Sequence, residues 1–110
     1  QGMGKGPAGN MNQMLKQAQQ MQDKITALQA DLEQREFTAS VGGGAVEIKI
    51  NGKREVLSLN IKPEVVDPED VEMLQDLIMS AFNEAVHNLD EVSDAEMSEL
   101  TGGVSFPGLF

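Results

Sequence analysis

Eight of the 110 residues are basic, and their placement is the first sign of chemistry in this chain. All eight lie between Lys5 and Lys62, where six acids accompany them, a local balance of +2. From Pro63 onward there are twelve acids and no Lys or Arg, a balance of −12. Residues 1–22 hold Lys5 and Lys16 and no acid at all. An anionic polymer is drawn to the first part and repelled by the second. Cations in such a setting neutralise phosphates and give a salt-dependent affinity. The candidates are Lys5, Lys16, Lys24, Lys49, Lys53, Arg54 and Lys62. Lys5, Lys16 and the Lys53-Arg54 pair rank first, because little acid surrounds the former two and the pair sits in a polar turn. A merely solvated surface is the competing reading, since eight basic residues are few for this length. No Arg cluster or helix-turn-helix pattern appears, so contact is expected with the phosphate backbone rather than with base edges.

Other chemistries find little support. The chain has no Cys, which excludes disulfides, thiolate zinc sites and thiol catalysis. His87 is the only histidine and reads as a surface or boundary residue rather than a metal ligand. Gly42-Gly43-Gly44 is followed by a strand pattern and not by the Gly-Lys-Ser/Thr of a phosphate-binding loop, so a tight turn is expected. Glu69, Asp70, Glu72 and Asp76 form an acidic helix start, with no buried partner indicated that would separate their pKa values for catalysis. No enzyme, metal or cofactor is expected. No apolar run approaches the ~20 residues of a membrane span, and a soluble, cytoplasmic protein is the expectation.

The elements that must carry the cations are legible in the apolar spacing. Met11, Met14, Ala18, Met21, Ile25, Leu28 and Leu32 recur at intervals of three and four, a heptad seam without Gly or Pro. The pattern predicts a helix from Asn10 to Arg35, about 40 Å long at ~1.5 Å per residue. That is about twice an ordinary strand of ~17–20 Å. Part of the seam must therefore reach past its own domain, and Met14, Ala18, Met21, Ile25 and Leu28 are the expected dimer interface with a second copy.

Beyond Arg35 the period changes to two. Phe37, Ala39 and Val41, then Val46, Ile48 and Ile50, then Leu57, Leu59 and Ile61 alternate with polar residues, predicting three short strands. A two-residue Gly43-Gly44 turn pairs Val41 with Val46 and Phe37 with Ile50. A type I′ Asn51-Gly52 turn pairs Ile50 with Lys53 and Val46 with Leu57. Both registers place all nine apolar residues on one face. Asp67-Pro68 predicts a helix start, with Asp67 as cap. The second helix presents Val71, Leu74, Leu77, Ile78, Ala81, Phe82, Ala85, Val86, Leu89 and Val92, a face wide enough to lie on a sheet. The expected fold is α+β, in the order α-β-β-β-α with a three-stranded antiparallel meander. Residues 1–9 are expected as a flexible Gly-rich arm, 10–100 as the folded domain and 101–110 as an apolar tail. Two long helices compete for one apolar sheet face, so a homodimer is expected.

Within this frame stand KQAQQMQ (Lys16 to Gln22) after a GKG arm, VEIKING (Val46 to Gly52), Lys62-Pro63, DPEDVEMLQDLI, AFNEA (Ala81 to Ala85) and a final PGLF. In this order and spacing, over nearly the whole chain, the sequence resembles the YbaB/EbfC family of bacterial nucleoid-associated proteins. The resemblance implies a cytoplasmic, tweezer-like homodimer that binds DNA and helps organise the nucleoid. It favours the DNA-binding reading of the cations, with Lys5, Lys16, Lys24, Lys53 and Arg54 as the expected contacts, and the lack of an Arg cluster or helix-turn-helix pattern makes that binding weak and largely indifferent to sequence. Family members often carry Lys and Arg toward the end of the last helix, where this chain reads HNLDEVSDAEMSEL. That difference, with the Met seam and apolar tail, keeps a dimeric protein-interaction adaptor as the alternative.

Overall fold

A computed structural model describes the backbone of residues 5–102 and the side chains of residues 11–102. Two helices bracket a three-stranded sheet: α1 (Lys5–Gln34), β1 (Glu36–Val41), β2 (Val46–Asn51), β3 (Val56–Ile61) and α2 (Val71–Leu100), with a 3-10 turn at Pro63–Val65. The sheet order is β1-β2-β3 and both pairs are antiparallel. This is the expected α+β fold in the expected order. The molecule is a rod of 84 × 19 × 18 Å.

The first hairpin follows its sequence. Val41 pairs with Val46, Ala39 with Ile48 and Phe37 with Ile50. Gly43 and Gly44 have φ of 67° and 90°, the positive values at both central positions that a type I′ turn demands. Alternation then places Phe37, Ala39, Val46, Ile48 and Ile50 in the core, and α2 covers them with Ala81, Ala85 and Leu89.

The second hairpin departs from expectation. Ile50 pairs with Val56, Ile48 with Leu59 and Val46 with Ile61. The Asn51 side-chain oxygen accepts from the backbone N–H of Lys53 (2.8 Å) and of Glu55 (3.1 Å). Those bonds build a three-residue loop with Arg54 at φ 66°, the turn-plus-left-handed-residue form of hairpin. A register shift at Lys49/Ile50 results, with Leu57 as the extra residue of a bulge. Gly52 serves a different purpose from the one expected. A β-carbon there would meet the Leu32 carbonyl oxygen at 1.9 Å, so glycine is what lets the hairpin pass against the end of α1.

Two helix starts also differ. α1 begins at Lys5 rather than Asn10, so residues 5–9 of the expected arm are helical. Pro7 sits in the first turn, where its missing N–H has no intrahelical partner to lose. Residues 1–4, like the tail from 103, lie outside the described residues. α2 is capped by Asp70, whose side chain accepts from the Met73 N–H, and not by Asp67. Asp67 instead closes a turn onto the Glu69 N–H at 2.9 Å, and Asp70 N–H bonds back to the Asp67 carbonyl.

α2 packs over β1 and β2 and leaves β3 aside. The expectation that Leu57, Leu59 and Ile61 share the covered face holds for Ile61, which pairs with Val46 and packs against the core, and is corrected for Leu57 and Leu59. Leu57 and Leu59 stay 47% and 41% exposed, and Val56 beside them is exposed too.

Candidate nucleic-acid interface

Past the sheet, the second half of α2 returns along α1. Arg35 at the end of α1 reaches Glu96, while Leu28 two turns earlier lines a cleft with Leu100. The two helices thus run antiparallel, and Ile25, Leu32 and Met97 are buried where they meet and join the sheet. α2 ends beside the middle of α1. From residue 11 to residue 20 every α1 side chain is exposed, and this half of the helix projects as a single rod.

Lys16 and Lys24 stand exposed on that rod, about 12 Å apart along its axis. Lys16 lies on the side opposite the seam, because two residues from Met14 is about 200° of helical turn. The first acid on the rod, Asp23, is engaged by the Gln19 amide at 3.0 Å. Lys5 is in the first turn of α1, but its side chain lies outside the described residues. Lys53 is exposed at the hairpin tip, which the Gly52–Leu32 contact fixes beside the end of α1. Among the described residues Lys16, Lys24, Lys53 and Lys62 make no ion pair. The remaining cations are engaged. Arg54 bonds Asp90 on α2 at 2.7 Å and Lys49 pairs with Glu36 at 3.2 Å. The structure thus separates the Lys53-Arg54 pair, leaving Lys53 outward and tying Arg54 to α2.

Arg35 escaped the sequence reading altogether. Its guanidinium bridges Asp31, one turn back on α1, and Glu96 on α2, with Nη2 at 2.6 Å from Asp31 Oδ2 and 2.8 Å from Glu96 Oε1. Hydrogen bonds from Arg35 hold the Glu96 carboxyl below the usual carboxylate range. The same bonds, to Glu96 first and Asp31 second, raise the guanidinium above its ordinary value. An Arg next to an Asp at i−4 signals a local pair, but its partner on α2 is 61 residues away and leaves no trace in the sequence. Glu96 belongs to the acidic end of α2, and here it joins the two helices.

Of the expected dimer-interface residues, Ile25 is buried and Leu28 packs partly against the core of its own chain. Met21 is half-buried, and Met14 and Ala18 are exposed. The seam is continuous, but its C-terminal half is covered within one protomer.

The arrangement is an extended rod carrying well-spaced cations, backed by an acidic helix. It suits an extended anion, because Lys16 and Lys24 are spaced along a helix and do not converge on one point. Comparison with known proteins agrees. The model of the YbaB/EbfC DNA-binding family matches residues 7–104. A nucleoid-associated protein of Alkaliphilus metalliredigens is 58% identical over 97% of this chain and 94% of its own length. A nucleoid-associated protein of Clostridium novyi is 56% identical over the same shares. The crystal structure of an uncharacterized protein of Helicobacter pylori, HP0035, superposes with a TM-score of 0.69 at 24% identity, covering 82% of this chain and 95% of that one. That similarity concerns the fold.

Proposed function

This chain belongs to the YbaB/EbfC DNA-binding family, and from that premise we propose that it binds the DNA backbone weakly, largely without regard to sequence, as a homodimer that helps organise the nucleoid. The observation that carries this reading is the pair of exposed cations Lys16 and Lys24, without an ion pair among the described residues, on a helix whose first acid is Asp23. Lys53, exposed at the hairpin tip beside the end of α1, adds a further cation, and Lys5 another in sequence. Arg54 is the weaker contributor, because a phosphate would have to displace Asp90. Cations spaced this widely track phosphates and do not read base edges.

Two chains are favoured by β3. Among the described residues it is an edge strand, with exposed Val56, Leu57 and Leu59, a surface that a second copy can cover. This relocates the expected interface, with Met14, Ala18 and Met21 left outside it. The two rods of such a dimer would supply two lines of cations to one duplex.

The competing adaptor reading draws on the exposed methionines of α1 and the acidity of α2. Gel-shift titration at about 50 and 200 mM salt separates the two readings. Retardation at the lower concentration that disappears at the higher supports phosphate contact. Absence of retardation at both supports the adaptor.

A further inference from the structure

Arg54 stands at φ 66°, a left-handed conformation that glycine adopts freely and a long side chain rarely does. An outlier of this kind points to a use for the side chain it carries. Fold stability does not supply that use. The pair with Asp90 is about half exposed on both sides, 52% and 49%, and exposed ion pairs add little to stability.

The geometry of the pair suits exchange. The Gly52–Leu32 contact fixes the hairpin tip beside α1, and Leu89, next to Asp90 on α2, is buried in the core. Both backbones are held, so the guanidinium can change partner by side-chain rotation alone. Among the described residues one hydrogen bond joins the pair, from Nη2 to Oδ1 at 2.7 Å. A phosphate can take the same guanidinium through two parallel bonds. A lone anion in solution still competes poorly with a carboxylate tethered at contact distance. A duplex is different, because it carries one charge per ~1.7 Å of its axis. Once the adjoining Lys53 holds one phosphate, its neighbours are tethered near Arg54 as well.

We propose that Asp90 is an internal stand-in for phosphate, which occupies Arg54 until a duplex held by Lys53 displaces it. Asp90 thereby sets how tightly the hairpin tip holds DNA without touching DNA itself, a role that depends on the DNA binding proposed above. The acidity of α2 then has a specific use at this position: it limits the grip of a cation on the neighbouring hairpin.

The parent, Asp90→Asn, Arg54→Ala and the double variant form the test, each titrated against one labelled duplex by gel shift at about 50 mM salt and above. Asp90→Asn should raise affinity about fivefold, the whole worth of an exposed pair at ~1 kcal/mol. Its slope of log affinity against log salt should steepen by about 0.9, for one further phosphate. In the Arg54→Ala background the same substitution should gain no more than Asp94→Asn does. Asp94 is exposed one turn further along α2 and is not bonded to Arg54, so its loss reports the change in net charge alone. The far-ultraviolet helical signal should be the same in all of them. A fivefold gain that survives Arg54→Ala is a general charge effect and overturns the role of Asp90. So does a parent that is retarded while Asp90→Asn binds no more tightly. Retardation of none of the proteins removes DNA binding itself, and the role of Asp90 with it.

Discussion

Gly52 and Leu32 meet backbone to backbone: a β-carbon on Gly52 would stand 1.9 Å from the Leu32 carbonyl oxygen and 2.5 Å from its carbonyl carbon. Both obstacles are main chain, so no rotamer change can relieve them. This contact fixes the hairpin tip, and with it Lys53, to the end of α1. Gly52→Ala must push the hairpin away from the helix. It is expected to lower the free energy of unfolding by about 3 kcal/mol, the upper part of the range for overpacking. The urea midpoint measures this, and an unchanged midpoint would show that the two segments do not touch in solution.

The Arg35–Glu96 pair predicts an acid response. Glu96 has a depressed pKa in the folded protein, so its contribution is complete above the unfolded value of about 4.3. The contribution fades as pH falls through the depressed value, where the folded carboxylate at last takes up a proton. Arg35 stays charged across this window, its own value being raised. Glu96→Gln should be less stable than the parent at neutral pH, by a margin that holds down to the ordinary carboxylate range and closes below it. Urea midpoints for both proteins across that range test the sign. A margin that widens in acid would contradict the assignment.

Lys16→Ala and Lys24→Ala on α1, with Lys53→Ala at the hairpin tip, together remove three exposed cations. If each neutralises one phosphate, the slope of log affinity against log salt becomes shallower by about 2.7. Loss of affinity should be uniform across unrelated duplexes. A variant that loses affinity for only some duplexes would point to base readout instead. Arg54→Ala should have less effect than Lys53→Ala, because Asp90 already occupies the guanidinium.

Strand β3 carries the prediction for assembly. Leu57→Lys with Leu59→Lys replaces exposed side chains that the protomer's own core does not need. The protomer should remain folded, while the two-chain form weakens by at least about thirtyfold, the equivalent of ~2 kcal/mol for loss of a central contact. Sedimentation at micromolar concentration distinguishes one chain from two. Unaltered assembly would return the interface to the α1 seam.

Sequence alone determined the periodic parts of this protein. A heptad stripe from Met11 to Leu32, alternation at Phe37–Val41 and Val46–Ile50, and a broad apolar face from Leu74 to Val92 each reflect burial within one element, whose period is a local property. The Gly43-Gly44 turn was legible for the same reason, since two glycines with positive φ set the register of their own hairpin. The family resemblance, too, was carried by residues in a row. Tertiary structure decided everything that depends on two distant segments meeting. It turned Gly52 from a turn former into a contact for Leu32, tied Arg35 to Glu96, and drew Arg54 out of the free cations toward Asp90. It also divided the uniform seam into a covered and an open half and left Val56, Leu57 and Leu59 of β3 exposed, because α2 can lie over only part of the sheet and only part of α1. Spacing along a chain records which face of an element is apolar; only packing in three dimensions determines what covers that face.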